Sequence, residues 1–152
     1  MKRREFLETT AGVVLISCGC SGCSAFTGVS DMDELAQDLM LLNNGEVKIS
    51  LDKVPKLKEK GYGLKFHVAG PENEIKIVLV HANDDQFYAL ENKCTHGGRE
   101  LVYRADDEIM RCTSFGHSKF ELDGDLVKGP AKRDLMHFPI TADHNEIIIT
   151  IA

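Results

Sequence analysis

Two short segments, each with a cysteine followed by a histidine, restrict most strongly what this chain can fold into. The first is Cys94-Thr95-His96, and the second runs from Cys112 to His117 with four residues between them. Two thiolates and two imidazoles suit iron or zinc, and a pair of loops can close a four-ligand site. The Cys-x-x-Cys pair with two histidines on a helix, the usual zinc-finger spacing, is missing from the sequence. The fold must therefore bring two separate loops together.

The residues around these segments predict short β-strands. Apolar residues alternate with polar ones, and turn signals such as Asn83-Asp84-Asp85 separate the runs. The predicted strands are Val47 to Leu51, Leu64 to Val68, Ile75 to Val80, Phe87 to Leu90, Glu108 to Arg111, Lys119 to Leu122, Met136 to Ile140 and Ile147 to Ile151. Many short strands with frequent turns indicate an all-β sandwich or barrel-like domain, which we place at residues 46–152.

One short helix is predicted before this domain, over residues 30–45. Ser30 and Asp33 form a plausible capping box, and apolar residues follow at helical spacing. Asn43-Asn44-Gly45 then closes the segment.

Length and charge narrow the class of protein. The chain has 152 residues, close to one ordinary domain. Its formal net charge of -6 gives no electrostatic footprint for nucleic acid, so nucleic acid is not expected as a partner.

The first 17 residues have the architecture of an export signal, with a basic start and a short apolar run. Arg3-Arg4-Glu5-Phe6-Leu7 resembles the twin-arginine signal, whose pathway exports folded proteins. Leu15-Ile16-Ser17-Cys18 resembles a bacterial lipobox, so Cys18 is the expected lipidated residue of the mature protein. Residues 18–29 are then a flexible, lipid-anchored tether, and the domain faces the periplasmic or outer side of a prokaryotic membrane.

The chain from Val47 to Ala152 resembles the Rieske [2Fe-2S] proteins. The shared features are the strand before Cys94-Thr95-His96-Gly97-Gly98, the second Cys/His loop, and the Gly129-Pro130-Ala131 segment. The resemblance implies a Rieske-like β-sandwich or barrel whose hairpin loops bind one [2Fe-2S] cluster. It also implies the ligand set Cys94, His96, Cys112 and His117, with the cysteines on one iron and the histidines on the other.

Three features depart from the family pattern. Phe115 stands where the second loop normally has its histidine, so ligation by His117 needs a loop two residues longer. Arg99 and Ser114 stand where quinol-oxidising members carry a disulfide, and Phe120 replaces a tyrosine of high-potential members. Phe115, freed from ligation, is expected to shield the cluster from solvent.

The function that the resemblance implies is one-electron transfer, by an exported membrane-anchored carrier or by the redox subunit of a membrane-associated oxidoreductase complex. The expected partners are electron donor and acceptor proteins or a quinone-linked membrane complex. Catalysis by this chain alone is not expected, since a Rieske oxygenase needs a second domain with a mononuclear iron. Two alternatives stay open: a structural zinc Cys2His2 domain, and a cluster-free Rieske fold that acts as an interaction module.

Overall fold

The computed structural model describes residues 32–151, which form short β-strands joined by turns. In chain order the strands are β1 (Asp33–Glu34), β2 (Met40–Asn43), β3 (Glu46–Ser50), β4 (Tyr62–Ala69), β5 (Glu74–His81), β6 (Phe87–Glu91), β7 (Leu101–Arg104), β8 (Ile109–Cys112), β9 (Lys119–Phe120), β10 (Leu126–Lys128), β11 (His137–Phe138), β12 (Ile140–Ala142) and β13 (Glu146–Thr150). Two 3₁₀ turns span Gln37–Leu39 and Pro55–Lys58. In this part of the chain no helix has the length and apolarity that a membrane crossing requires. The predicted all-β fold is confirmed.

The strands form three sheets. The first has five strands in the order β1-β4-β5-β6-β11, with β1 parallel to β4 and the other pairs antiparallel. The second has the order β10-β9-β8-β7, and the third has the order β12-β13-β3-β2. All pairs in the second and third sheets are antiparallel.

Strand β5 of the first sheet is buried on both faces from Ile77 onward, which explains its dense apolar run. Ile77 and Leu79 point into a core shared with the third sheet, where Val47 and Ile149 also lie. Val78 and its neighbours on the opposite face pack into a second core, shared with the second sheet. Fully burying one such aliphatic side chain stabilises a fold by roughly 1.5–3 kcal/mol, so the two cores hold the three sheets together.

The helix predicted over residues 30–45 is wrong for the residues that the structure describes. These form β1, the first 3₁₀ turn and β2. Asn44 and Gly45, which were expected to end a helix, have φ of 50° and 77° and form the two-residue turn of the β2–β3 hairpin. Antiparallel pairing with β3, in which Met40 lies opposite Ile49, satisfies the backbone and buries Met40. Long-range pairing therefore outweighs the helical spacing.

Two hairpins position the cysteine-bearing loops. His81 pairs with Phe87 beside the β5–β6 turn, and β6 runs from there to the loop that carries Cys94. In the β7–β8 hairpin, Leu101 pairs with Cys112 at the end remote from the turn. The two loops therefore lie at the same end of the molecule, opposite the hairpin turns.

Candidate metal centre

The first loop, residues 92–99, is closed by its own backbone and by one buried amide. Asn92 is 2% exposed, and its Oδ1 accepts the Leu101 N–H at 2.7 Å. Cys94 N–H donates to the Arg99 carbonyl, and Gly98 N–H donates to the Cys94 carbonyl, both at 2.8 Å. Gly98 has φ of 72°, a conformation that glycine adopts without a steric penalty. These bonds fix Cys94 at the base of the loop.

The second loop, residues 113–117, begins after the last residue of β8. Cys112 N–H donates to the Ser118 carbonyl at 2.8 Å and so joins the two ends of the loop. His117 has φ of 47°, which is uncommon for a non-glycine residue. Gly116 lies close to the Pro130 ring, since a Cβ at this position would stand 2.6 Å from the ring Cγ. The longer loop thus remains a compact turn.

The two thiols come together in the second core. Cys94 and Cys112 are each 1% exposed, and the Cys112 thiol contacts that of Cys94. Burial raises the pKa of Cys94 and the neighbouring thiol adds to this, whereas the His96 N–H and the Ser118 hydroxyl lower it. A bound metal cation favours the thiolates that burial alone disfavours.

Polar groups are already aimed at both sulfurs. The Ser118 hydroxyl lies beside Cys94 and lowers the pKa of that thiol, and its Oγ accepts the Ala131 N–H at 3.1 Å. Ser114 N–H donates to Cys112 Sγ at 3.4 Å, and its Oγ lies 3.0 Å from the same sulfur. Hydrogen bonds to cluster sulfurs are one of the means by which a protein sets the potential of an iron–sulfur centre.

The two predicted imidazoles lie on the same loops but do not converge on the thiols. His96 and His117 are exposed, and the ring Nδ1 of His117 lies 3.4 Å from the Cys112 carbonyl oxygen. Residues 32–151 hold no group of three or more His, Cys, Asp or Glu side chains able to bind a single metal ion. A Rieske cluster does not require one, because each of its two irons takes two protein ligands.

Phe115 does not shield the centre as expected. Its side chain is 101% exposed at the tip of the second loop. The shielding comes instead from a third loop, residues 129–134, which packs over the thiols. Thr95 Oγ1 donates to the Arg133 carbonyl at 2.7 Å, and Ala131 is buried beside Ser118.

The first two loops are joined by a polar link. Thr113 donates to the Glu100 carbonyl twice, from Oγ1 at 2.8 Å and from its N–H at 3.1 Å. The Glu100 carboxylate accepts from Lys76 at 2.8 Å and from Lys65 at 3.2 Å. The Lys76 bond lowers the pKa of Glu100, burial opposes it, and Lys65 adds to the lowering. This Glu100–Thr113 link ties the base of both loops to β4 and β5.

Sequence reasoning missed this link, and it also missed Asn92. The only signals in the sequence are an asparagine two residues before Cys94 and a threonine directly after Cys112. Neither indicates a partner, because the bonds join residues that are far apart in the chain.

A surface groove of about 630 Å³ lies against the first loop. Its lining includes Cys94, His96, Arg133, Met136 and His137. His81, a histidine outside the two loops, is buried, and its ring stacks on Phe87 with centroids 4.2 Å apart.

Comparison with known proteins gives the class. The family model of the Rieske [2Fe-2S] domain matches residues 48–139, more than half of the chain. The chain belongs to the Rieske [2Fe-2S] family, whose domain binds a [2Fe-2S] cluster. No curated protein sequence matches it.

Two solved structures are similar. The plasma membrane Rieske protein PetC3 from the cyanobacterium Synechocystis PCC 6803 is 26% identical with a TM-score of 0.51, over 63% of this chain and 92% of that chain. The ferredoxin of carbazole 1,9a-dioxygenase from Nocardioides aromaticivorans IC177 is 20% identical with a TM-score of 0.52, over 62% and 88%. The second likeness concerns the fold alone.

The donor set suits the cluster of this family. Two adjacent buried thiols meet the need of one iron, and the only histidines on the first two loops, His96 and His117, offer the imidazoles for the other. A zinc domain and a cluster-free fold are therefore not favoured.

Proposed function

We propose that this protein is an exported, membrane-anchored one-electron carrier, or the redox subunit of a membrane-associated oxidoreductase complex. Cys94 and Cys112 hold one iron of the [2Fe-2S] cluster, and His96 and His117 hold the other. The observation that carries the proposal is the buried, adjacent thiol pair at the base of two loops that each carry one histidine.

When bound, the cluster accepts and releases one electron. The side chains of this chain hold and tune it. Ser114 N–H donates to the Cys112 sulfur, and the Ser118 hydroxyl favours the Cys94 thiolate. The third loop limits access of water, and the Glu100–Thr113 link joins the two loops. Rigid loops let the centre change charge with little rearrangement, which suits electron transfer.

Export and anchoring rest on the N-terminal sequence, which lies outside the described residues. Arg3-Arg4 and the segment ending at Cys18 support export of a folded, cofactor-loaded protein followed by lipidation. The similarity to a plasma membrane Rieske protein agrees with this location. The domain then faces the periplasmic or outer side and exchanges electrons with partner proteins or with a quinone-linked complex.

An electron paramagnetic resonance (EPR) spectrum of the reduced, purified protein tests the cluster directly. The expected result is the low average g value of mixed histidine–cysteine ligation, with iron and acid-labile sulfide in equal amounts. Zinc without sulfide would indicate the structural zinc domain. A folded protein that lacks both metals, when produced in cells with intact cluster assembly, would indicate the interaction module.

A further inference from the structure

The end of the molecule that carries the thiol pair is basic, although the chain as a whole is acidic. Residues 91–99 and 128–134 frame this end, and the second loop between them carries no Lys, Arg, Asp or Glu. Their basic residues are Lys93, Arg99, Lys128, Lys132 and Arg133, and their acidic residues are Glu91 and Asp134. We call this set the basic rim. It contrasts with the formal net charge of -6.

The basic rim is free to act on a partner. All five of its cationic side chains belong to exposed residues, and none has a carboxylate within 4 Å among residues 32–151. Five lysines elsewhere form ion pairs, among them Lys56 with Asp33 and Lys58 with Asp52. Of the rim carboxylates, Asp134 is engaged by the Leu126 N–H at 2.9 Å.

The opposite end has the opposite charge. The turns at residues 82–86, 105–108 and 121–125 carry eight carboxylates and no lysine or arginine. Five of these carboxylates line one groove, namely Asp84, Asp107, Glu108, Glu121 and Asp123. The hairpin register places the first two turns remote from the cysteine-bearing loops. The molecule is therefore electrically polarised along its hairpins.

We infer that the basic rim docks an acidic surface of a protein that exchanges electrons with this chain, which rests on the proposed function. Charges beside a centre steer encounter and orientation, whereas distant charges are screened beyond about 8 Å at physiological salt. An acidic partner is attracted to the rim and repelled by the far end, so productive orientation follows from the polarity. The groove beside His96 and Arg133 gives the partner a path close to the centre.

The sign of a salt dependence tests this inference on the full-length, reduced holoprotein. One electron passes from the reduced cluster to hexacyanoferrate(III), which becomes hexacyanoferrate(II), and the second-order rate constant is measured against ionic strength. If the basic rim attracts the hexacyanoferrate(III) anion, salt screens this attraction and the rate constant should fall roughly threefold or more as salt is added. The net negative charge alone predicts a rate constant that rises. A rise would overturn the inference.

Lys132→Glu and Lys53→Glu form a matched pair, since both replace an exposed lysine and change the charge equally. Lys132→Glu should slow the reaction at low salt by roughly threefold and weaken its salt dependence, whereas Lys53→Glu should leave both unchanged. Equal effects of the two variants would show that the salt dependence comes from the net charge of the whole protein, and the inference about the basic rim would then be wrong.

A binding measurement supplies a readout that does not depend on electron transfer. A fluorescently labelled polyglutamate peptide should bind the holoprotein, and Lys132→Glu, but not Lys53→Glu, should weaken this binding. If vesicles with anionic lipid bind at the rim in a Lys132-dependent way and the peptide does not, the partner is a membrane and the inference is wrong. Absence of the EPR signal would instead refute the proposed function.

Discussion

At the scale of single residues, the second loop holds the main departure from the family pattern. Phe115 occupies the usual histidine position and is fully exposed, while His117 lies two residues later with a left-handed backbone. Lengthening a flexible loop costs little entropy, so two extra residues are compatible with ligation. His117 therefore remains the predicted ligand.

Paired substitutions separate these two residues. His117→Ala should abolish the EPR signal of mixed histidine–cysteine ligation, because one iron loses an imidazole. Phe115→Ala should retain the signal, since an exposed side chain supports no packing. The variants are compared by EPR, with circular dichroism to show that both are folded. A full wild-type spectrum from His117→Ala would refute the ligand assignment.

Ser118 should affect both potential and stability. It is 0% exposed, its hydroxyl lowers the pKa of the Cys94 thiol, and its Oγ accepts the Ala131 N–H. Ser118→Ala should lower the reduction potential, because a hydrogen bond to sulfur stabilises the more negative, reduced state. It should also cost about 1–3 kcal/mol of unfolding free energy, since a buried N–H loses its acceptor. Voltammetry and denaturant titration measure the two effects, and an unchanged potential would contradict the role given to the hydroxyl.

At the scale of elements, the two cysteine-bearing loops are held without a disulfide. Both cysteines that the structure describes are free thiols, and Arg99 and Ser114 stand where the disulfide of quinol-oxidising relatives lies. The Glu100–Thr113 link and the two lysine bonds of Glu100 join the two loops to each other and to two strands of the first sheet.

Glu100→Gln should reveal, through its dependence on pH, the ion pairs of the Glu100 carboxylate with Lys76 and Lys65. The pKa of Glu100 is lowered in the fold, so its stabilising contribution is complete above the usual value of 4.5 and is lost as pH falls through the lowered value. The side chain is 39% exposed, so solvent screening limits the loss at neutral pH to about 0.2–1 kcal/mol.

The measurement is thermal or denaturant unfolding at neutral and at acidic pH. Glu72→Gln is a suitable control, since Glu72 is exposed and forms no ion pair among the described residues. The Glu100→Gln deficit should shrink at acidic pH. A deficit of the same size at both pH values would show that ionisation of Glu100 is not its cause.

At the scale of the whole molecule, the chain enters the fold away from the thiol pair. Asp33 pairs with Leu64 in parallel β1 and β4, and it bonds to Tyr62 near the hairpin turns. The bonds from Asp33 and burial together raise the pKa of Tyr62, with burial the larger cause. The first described strand therefore lies at the end of the molecule opposite the basic rim.

The proposed lipid anchor on Cys18 predicts that replacing this cysteine changes the mass of the protein and its distribution between the membrane and soluble fractions. Cys18→Ser should remove the acyl chains, leaving the protein in the soluble fraction or uncleaved, whereas Cys20→Ser should stay firmly membrane-bound. Several acyl chains are needed for stable attachment, because a single chain binds only marginally. Membrane fractionation with intact mass gives the result, and an unmodified wild-type protein would exclude lipidation of Cys18.

The sequence by itself determined most strands, and it carries the prediction of the donor set. The alternation around Val47, Leu64 and Ile147 predicted strands, because side chains of successive strand residues point to opposite faces and the pattern is local. The cysteine and histidine spacing likewise indicated two loops with a shared metal. These features depend only on residues that are close together in the sequence, so they can be recognised without the tertiary structure.

The tertiary structure alone decided the rest. Residues 40–43 form a strand because they pair with β3, not because of their own spacing. β7 was missed since its alternation covers only four residues, and β8 supplies the pairing that defines it. The Glu100–Thr113 link and the separation of charge to two ends join residues distant in sequence. Such contacts exist only once the hairpins have set which segments meet, and that is why the sequence did not determine them.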